Sequence, residues 1–304
     1  AMSTDGVGTK IAIARAMDVH HTIGQDLVAM VVDDLVVCGA RPLFMTDYIA
    51  CGTLVPERIA AIVSGIAAAC AATGTALVGG ETAEHPGVMA ADDYDVAGAA
   101  TGVVDFSEIR GPERVRAGDR IIALASSGLH SNGYSLVRRI VADAGMELGA
   151  EVPEFSRTLG EELLEPTRLY TRLCLDLLPN VNAYSHVTGG GLAANLARAL
   201  PAGTLAVVDR GLVDPPAVMR VLADAGKVAW ADMEQTFNMG VGMIAIVPTG
   251  LESTVIEMSR KAGVAAWELG EVSQGEAPEG AAVVRGTKGV DGGAVAMVGR
   301  YAGT

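Results

Sequence analysis

Two carboxylates set among glycines carry the clearest chemical signal in this chain. Asp5 lies in the opening segment STDGVGTK, and Glu81 lies in GGETAE, directly after an apolar run. Glycine lets a backbone approach a ligand closely. A carboxylate in such a place can bind a hard cation such as Mg²⁺, which usually keeps waters and substrate phosphates among its ligands. Because Lys10 adds a positive charge close to Asp5, these residues indicate a metal–nucleotide site.

Further carboxylates lie on an apolar segment that predicts a helix over Asp26–Cys38. At 100° per residue, Asp26 and Asp33 fall about 20° apart on that helix, and Asp34 about 80° from Asp26. A helix this apolar should be buried, and a buried carboxylate is costly unless it is paired or bound to a metal. One interpretation is that Asp26 caps the helix and Asp33 or Asp34 pairs with an arginine. The other is metal binding, which Asp5 and Glu81 favour as co-ligands.

Two polar, glycine-containing loops precede predicted helices in the second half of the chain. The first is SSGLHSNG, between a strand predicted over Arg120–Ala125 and a helix predicted over Gly133–Ala144. Such a strand–loop–helix arrangement presents free N–H groups to an anion. Ordinary capping explains Ser131 and Asn132 almost as well. His130 can donate to a phosphate or move a proton.

The second loop is Thr188 with Gly189, Gly190 and Gly191. Three successive glycines are costly in conformational entropy, which favours a close approach to an anionic ligand over a flexible hinge. His186, just before them, is also compatible with a core histidine. Neither GxxxxGK[ST] nor GxGxxG stands here in usable form, so no Walker-type or dinucleotide-binding motif is indicated.

Composition excludes some classes of function. The 304-residue chain is 50% hydrophobic, with a net charge of −14 and a pI of about 4.7. This balance argues against a nucleic-acid surface, which needs clustered basic residues. The uncharged segment Ile59–Gly80 is about long enough to cross a bilayer. Because polar residues and glycines interrupt it, we interpret it as a buried helix that ends at Gly74, followed by a core strand. The four cysteines lack CxxC spacing and are interpreted as buried thiols of a reducing compartment.

Predicted strands and helices alternate, which favours an α/β class. The pattern loosens near residues 107–112, so we predict domains over residues 1–106 and 107–304. A loop is predicted at residues 20–24, and the chain after Gln274 is glycine-rich and irregular. Other predicted strands cover residues 42–50, 94–104, 204–208, 242–247 and 265–272, and other predicted helices cover residues 56–73, 167–178, 191–200, 216–225 and 251–262.

In order along the chain, the motifs resemble one family closely. They are STDGVGTK, H-x-TIG-x-DLVAM-x-V-x-DLVV-x-GA, PLF, SGIA, LVGGETAE-x-PG, DYDVAG, SSG-x-HSNGYSLVR, PTR-x-Y, H-x-TGGG and TFN-x-GVGM. The family is phosphoribosylformylglycinamidine cyclo-ligase, also called aminoimidazole ribonucleotide synthetase. The resemblance runs from Ser3 to about Val272.

This resemblance implies two α/β domains, the first forming a dimer interface with ATP near it, in a cytoplasmic enzyme of purine biosynthesis. The implied reaction is ATP-dependent ring closure of formylglycinamidine ribonucleotide to aminoimidazole ribonucleotide, ADP and phosphate. ATP phosphorylates the amide oxygen, an amidine nitrogen attacks that carbon, and phosphate leaves. Implied cofactors are ATP and Mg²⁺, with K⁺ left open. No nucleic-acid or membrane partner is implied.

The resemblance also implies roles for the residues at the positions that match the family's motifs. Metal ligands would be Asp5, Asp34 and Glu81, with Asp26 as an alternative. The ATP and phosphate contacts would be Asp5, Gly6, Gly8, Thr9, Lys10, Asp26, Gly79 and Gly80. Catalytic residues would be His130 and Lys10, and substrate-binding residues would be Ser131, Asn132, Thr188, Gly189, Gly190 and Gly191.

The sequence departs from the family pattern in a few places. His21 stands where an aspartate is usual, Leu129 where a proline is frequent, and His85 where many members have methionine. The family also has a segment of some tens of residues before STDG, which we expect to have been trimmed or to be disordered here. Related ATP-using enzymes, such as selenophosphate synthetase and thiamine-phosphate kinase, and a non-catalytic nucleotide-binding paralogue are the alternatives. The carboxylates and Lys10 count against the paralogue.

Overall fold

The computed structural model describes residues 1–286 and 292–302, and it contains two main β-sheets with helices packed against them. The strands are β1 (Met2–Gly6), β2 (Arg41–Cys51), β3 (Ala76–Glu84), β4 (Tyr94–Val103), β5 (Arg120–Ala125), β6 (Glu151–Val152), β7 (Arg157–Thr158), β8 (Ala183–His186), β9 (Leu205–Asp209), β10 (Val241–Val247), β11 (Ala266–Ser273), β12 (Ala282–Arg285) and β13 (Ala294–Val298). The helices are α1 (Ile11–Met17), α2 (His21–Val36), α3 (Pro56–Thr73), α4 (Tyr134–Asp143), α5 (Leu159–Leu163), α6 (Thr171–Leu177), α7 (Gly191–Arg198), α8 (Ala217–Gly226), α9 (Trp230–Thr236) and α10 (Glu252–Lys261).

The first sheet has four strands in the order β1-β4-β2-β3, and only the β2–β3 pair is parallel. Helices α2 and α3 cover one of its faces. They cross closely because Gly24 and Gly65 lie at the contact: a Cβ on Gly24 would lie 2.2 Å from the amide nitrogen of Ile66. The opposite face exposes Phe44 and Tyr48, which are 42% and 40% accessible. This sheet therefore has one buried and one open side.

The second sheet has seven strands in the order β12-β13-β9-β11-β5-β10-β8. Strand β10 is buried along its whole length and pairs antiparallel with β5 on one side and β8 on the other. β5 and β8 consequently run in the same direction. Their carboxyl ends meet at one edge of the sheet, so the loops that follow them are neighbours.

The α/β class and the two α/β units predicted from the sequence are confirmed. Gly74 ends α3 in the left-handed conformation, as predicted. Among the described residues, no helix combines the length and hydropathy needed to cross a bilayer. The four cysteines are free, with Cys38 half-buried and the other three buried.

Several predicted boundaries were wrong, and two of them affect the site. Helix α2 begins at His21 instead of Asp26, so Asp26 lies inside the helix and does not cap it. Strand β3 continues through Gly79–Glu81, which were expected to follow the strand, and it is an exposed edge strand instead of a core strand. The glycines are tolerated there because an edge strand packs on few neighbours.

Three smaller differences concern the second half. The helix expected over residues 167–178 is confined to Thr171–Leu177. Helices α5 and α9 were not predicted. The tail expected to be irregular contributes β12 and β13 to the sheet, although residues 287–291 and 303–304 of it lie outside the described residues.

Candidate active site

A cleft of about 580 Å³ lies between the edge strand β1, helix α2 and the ends of the second-sheet elements. Its lining includes Ser3 from β1, Asp34 from α2, His186 from β8 and Thr188 from the loop that follows β8. The cleft therefore joins the opening segment to one of the two glycine-containing loops identified in the sequence.

A hydrogen-bonded pair forms the acidic wall of this cleft. His186 Nδ1 lies 2.8 Å from Asp34 Oδ1. Desolvation is the largest effect on His186 and by itself lowers its pKa. The hydrogen bond and charge of Asp34, together with the charges of Asp33 and Asp5, outweigh that effect and raise the pKa above its usual value. The pair therefore favours an imidazolium beside a carboxylate.

Asp5 belongs to the same electrostatic cluster. Burial raises the pKa of the Asp5 carboxyl, and the negative charge of Asp34 raises it further, against the backbone N–H of Gly6 and the charge of His186. Two carboxylates whose charges repel each other suit a cation. Asp5 and Asp34 can therefore supply two oxygen ligands of a hard metal ion.

Glu81 does not join these two carboxylates within one chain. Strands β1 and β3 are at opposite edges of the first sheet. Asp5 pairs in register with Gly98, on the helix-covered face, whereas Glu81 pairs with Tyr48, on the open face. Among the described residues, no group of three or more His, Cys, Asp or Glu side chains could hold a metal ion. Asp5, Asp34 and Glu81 therefore do not converge within one chain, because strand order separates them.

The glycines next to Glu81 lie on the same distant edge. A Cβ on Gly79 would meet nothing within 4 Å, while one on Gly80 would lie 2.5 Å from the carboxylate of Asp47. Burial raises the pKa of Asp47, a half-buried residue that the sequence analysis did not single out. Gly79 and Gly80 are thus remote from the cleft in a single chain.

Lys10 and Asp26 form a buried ion pair instead of a ligand-binding surface. The Lys10 ammonium lies 2.8 Å from Asp26 Oδ1, donates to the Glu165 carbonyl at 2.7 Å, and is fully inaccessible. Asp26 also accepts hydrogen bonds from the amide and hydroxyl of Thr167. In this structure both side chains lie without solvent access, and their contacts hold residues 165–167 against α2.

The turn between β1 and α1 holds the other predicted phosphate contacts. Gly6 ends β1, and Gly8 has φ +74° with open space where a side chain would stand. Thr9 is exposed, with its hydroxyl 3.3 Å from that of Ser135 at the start of α4. This turn is accessible to a ligand, unlike Lys10, which follows it.

The two predicted substrate loops lie next to each other. A Cβ on Gly189 would be 3.4 Å from Asn132 Oδ1. The amide of Asn195 on α7 donates to the carbonyls of Thr188, Gly189 and Gly191. These three hydrogen bonds from one side chain hold the backbone of the loop in place.

Glycine at the last position of this loop also has a structural reason. Gly191 has φ +75°, and a Cβ there would lie 1.9 Å from the Glu234 carbonyl oxygen. Gly190 also has a positive φ, of +98°. Close packing therefore accounts for part of the glycine content that suggested an anion site.

His130 and Ser131 lie buried in the first of these loops. The ring of His130 accepts a hydrogen bond at Nε2 from the amide of Ser127, at 3.1 Å. Burial lowers the pKa of His130 well below its usual value, and the nearby charges of His186, Lys10 and Arg168 lower it further. The hydroxyl of Ser131 lies 3.0 Å from that of Thr167, which connects the loop to the Lys10–Asp26 pair.

Sequence reasoning missed several of these residues. Thr167 lies in the quoted PTR-x-Y motif, but its only signal was a threonine before an expected helix. The role of Asn195 could not be predicted from the sequence, because an asparagine on a helix does not indicate which carbonyls its side chain will bind. His186 was seen but also fitted a core histidine, and its position after a strand and before glycines was the usable clue.

The chain matches two family descriptions. They are AIR synthase related protein, N-terminal domain, over residues 1–104, and AIR synthase related protein, C-terminal domain, over residues 116–282. A relative from Sorangium cellulosum named phosphoribosylformylglycinamidine cyclo-ligase is 50% identical over 281 residues, which is 90% of this chain and 81% of that protein.

Two solved structures share the fold at low identity. The thiamine-monophosphate kinase from Stenotrophomonas maltophilia K279a superposes with a TM-score of 0.70 at 19% identity, covering 99% of this chain and 86% of that one. Hydrogenase maturation protein HypE in complex with ATP gives 0.65 at 20% identity, covering 99% and 86%. Considered with the motifs and the cleft, the sequence relationship shows that this chain belongs to the phosphoribosylformylglycinamidine cyclo-ligase family.

Proposed function

We propose that this protein catalyses the ATP-dependent ring closure of formylglycinamidine ribonucleotide, giving aminoimidazole ribonucleotide, ADP and phosphate. The proposal rests mainly on the cleft that Asp34, His186 and Thr188 line, with the charge of Asp5 acting on both Asp34 and His186. The 50% identity to a relative named as this cyclo-ligase supports the same substrate. Phosphorylation turns the amide oxygen into a leaving group, so the site must bind a triphosphate and a sugar phosphate together.

The cleft and the segments around it each have a role in this proposal. Asp5 and Asp34 would hold Mg²⁺, which neutralises charge on the ATP phosphates when it is bound. The turn of Gly6, Gly8 and Thr9 would lie against those phosphates. Ser131, Asn132 and the loop of Thr188, Gly189, Gly190 and Gly191 would bind the ribonucleotide. Lys10 and Asp26 would act at a distance, by positioning the segment that contacts Ser131.

The open face of the first sheet supports a homodimer. Phe44, Tyr48 and Val78 leave 42%, 40% and 60% of their surface exposed there or at the adjoining edge. A two-fold axis parallel to the strands would pack two such faces together and bring β3 of one copy beside β1 of the other. Glu81 of one subunit and Asp5 of the other would then lie on neighbouring edge strands. The predicted metal set would be completed across the interface, in a cytoplasmic dimer.

A complementation experiment tests this shared site. Asp5→Asn and Glu81→Gln should each abolish most activity alone. After the two inactive variants are mixed and allowed to exchange subunits, some dimers contain one intact site, so activity should return to about a quarter of normal by random pairing. No recovery in a verified mixed dimer would show that Glu81 and Asp5 do not act across the interface. Asp143→Asn, an exposed residue at the end of α4, is the matched control and should remain fully active.

The activity itself is tested by ADP release with formylglycinamidine ribonucleotide as the only acceptor. We expect ADP and aminoimidazole ribonucleotide in equal amounts. Thiamine phosphate and selenide, the acceptors of the alternative enzymes, should give no ADP above background. ATP hydrolysis that does not depend on formylglycinamidine ribonucleotide would contradict the proposal.

A further inference from the structure

The protonation state of His130 can be read from its hydrogen bond. A backbone N–H can only donate, so the 3.1 Å contact from the Ser127 amide requires a lone pair on His130 Nε2. An imidazolium has a proton on both ring nitrogens and could not accept this bond. His130 is therefore neutral, and its single ring proton is on Nδ1.

That proton has no acceptor among the described residues. His130 is 2% accessible, and its Nδ1 atom is buried without a hydrogen-bond partner. The residue also has φ +63°, a backbone conformation that is unfavourable for most side chains. A buried unpaired donor and an unfavourable φ at one residue persist only when the surrounding structure enforces them, and such features cluster at functional sites.

The surroundings hold the ring in this orientation. A Cβ on Gly242 would lie 2.4 Å from His130 Cε1 and 2.1 Å from the Tyr170 hydroxyl, so the ring occupies space that only glycine leaves free. Tyr170 packs against it with ring centroids 6.1 Å apart, and its hydroxyl donates to the Ala125 carbonyl. Rotation of the imidazole would break the Ser127 bond and meet this packing.

The charged neighbours also disfavour a second proton on the ring. His186, Lys10 and Arg168 all place positive charge near His130, and burial acts in the same direction on its pKa. His130 belongs to the loop that ends at Asn132, beside Gly189, where the proposed ribonucleotide would bind.

We infer that His130 is a neutral hydrogen-bond donor, whose buried Nδ1–H binds an oxygen of the substrate after the loop of residues 126–133 shifts to admit it, and that it neither accepts nor releases a proton during the reaction. The identity of that oxygen, on the amide or on a phosphoryl group, rests on the proposed function. The inference decides between the two roles that the sequence left open, proton transfer and oxyanion support. A neutral donor can stabilise developing negative charge without changing its own protonation state.

Four substitutions distinguish the effect of losing the Nδ1–H donor from the effect of losing the imidazole ring. In His130→Asn the side-chain NH₂ can occupy the place of Nδ1, and asparagine tolerates positive φ. In His130→Gln the NH₂ reaches the place of Nε2 instead. His130→Gly relieves the backbone and removes the donor, and His130→Ala removes the donor without relieving it. We expect kcat/KM for ring closure to fall less than tenfold in His130→Asn and about 10²–10³-fold in the other three. Melting temperatures identify any variant that fails to fold.

Nitrogen NMR of the ligand-free protein, labelled with ¹⁵N-histidine, gives a readout that does not depend on activity. We expect His130 to show a protonated Nδ1 and an unprotonated Nε2, unchanged between pH 6 and 8.5. A protonated Nε2, or titration within that range, would overturn the inference even in an active enzyme.

The activity data have two decisive outcomes. Equal and near-normal kcat/KM in His130→Asn, His130→Gln and His130→Gly would refute the donor role while leaving the proposed function intact. Conversely, if the protein releases ADP only with a different acceptor, the proposed function fails, but the tautomer and its partnerless donor are still measurable. The pH profile of kcat/KM should have the same shape in the wild type and in His130→Asn.

Discussion

Replacing Lys10 with methionine should lower the stability of the protein by about 3 kcal/mol. Methionine has a similar length, so the main loss is the charge that pairs with Asp26 at 2.8 Å, in a site with no solvent access. Removing one member of a buried pair costs about 3–5 kcal/mol, because the other charge stays buried and unpaired. Thr167 keeps two hydrogen bonds on the Asp26 carboxylate, which places the expected loss at the lower end of that range.

The assay is thermal unfolding followed by circular dichroism or calorimetry. At about 2 °C per kcal/mol for a chain of this size, the melting temperature should fall by about 6 °C. The matched control is Lys261→Met, whose ammonium is 68% exposed and pairs with Glu257 one helical turn away. Such a pair contributes about 0.3–0.5 kcal/mol, so the control should melt within about 1 °C of the wild type.

A double variant tests whether the unpaired charge of Asp26 causes the loss of stability. In Lys10→Met with Asp26→Leu, no charge is left unpaired, but the Thr167 amide and hydroxyl lose their acceptor. An unsatisfied buried donor costs about 1–3 kcal/mol, so the double variant should also be destabilised and should not recover to the wild type. If Lys10→Met melts as close to the wild type as Lys261→Met does, the pair does not hold the structure together, and the reasoning is refuted.

Three further predictions concern melting temperature, the dependence of stability on pH, and the reactivity of the thiols. Gly242→Ala should destabilise the protein by about 1–3 kcal/mol, because its methyl group would overlap the Tyr170 hydroxyl. Gly79→Ala, which meets nothing within 4 Å, should change the melting temperature little, and equal effects of the two would contradict the packing argument. Because burial lowers the pKa of His130 below its unfolded value of about 6.5, the unfolded state binds the extra proton first. Its contribution to stability is thus present above pH 6.5 and is lost as pH falls below it, by up to about 1.4 kcal/mol per pH unit. His130→Asn should flatten that part of the stability profile, and an unchanged slope would show that His130 is not neutral in the folded protein. In the native protein, a thiol reagent should modify Cys38 first, and faster modification of a buried thiol would contradict the packing. The buried thiols are Cys51, Cys70 and Cys174.

Much of the fold followed from local patterns in the sequence. The long apolar runs predicted most strands and helices, and the glycine at position 74 ended a helix as expected. The start of α2 was misplaced because Gly24 has the properties of a loop residue in isolation. Its role, allowing α3 to approach, depends on a helix some forty residues away.

The site was harder to predict from the sequence, because it depends on the order of the strands in the first sheet. Asp5 and Asp34 could be grouped because both are acidic residues in conspicuous segments, and the fold brings their charges close enough to interact. Glu81 was grouped with them on the same evidence. Whether it joins them depends on strand order and on which face of the sheet each residue occupies, and neither quantity is encoded within a short motif. Lys10 was expected at an ATP phosphate and is found buried beside Asp26, because sequence shows a charge but not its burial.

The carboxylates of helix α2 have a consequence for how this protein could be recombined with its relatives. Asp26 accepts hydrogen bonds from Thr167, and Asp33 accepts them from the amide of Tyr170 and the hydroxyl of Thr171. One helix of the first half thus provides specific acceptors for a short stretch of the second. A chimera joined near residue 107 would keep each sheet intact and still mismatch at these contacts. Exchange of one half between homologues should succeed only when residues 165–171 and helix α2 come from the same parent protein.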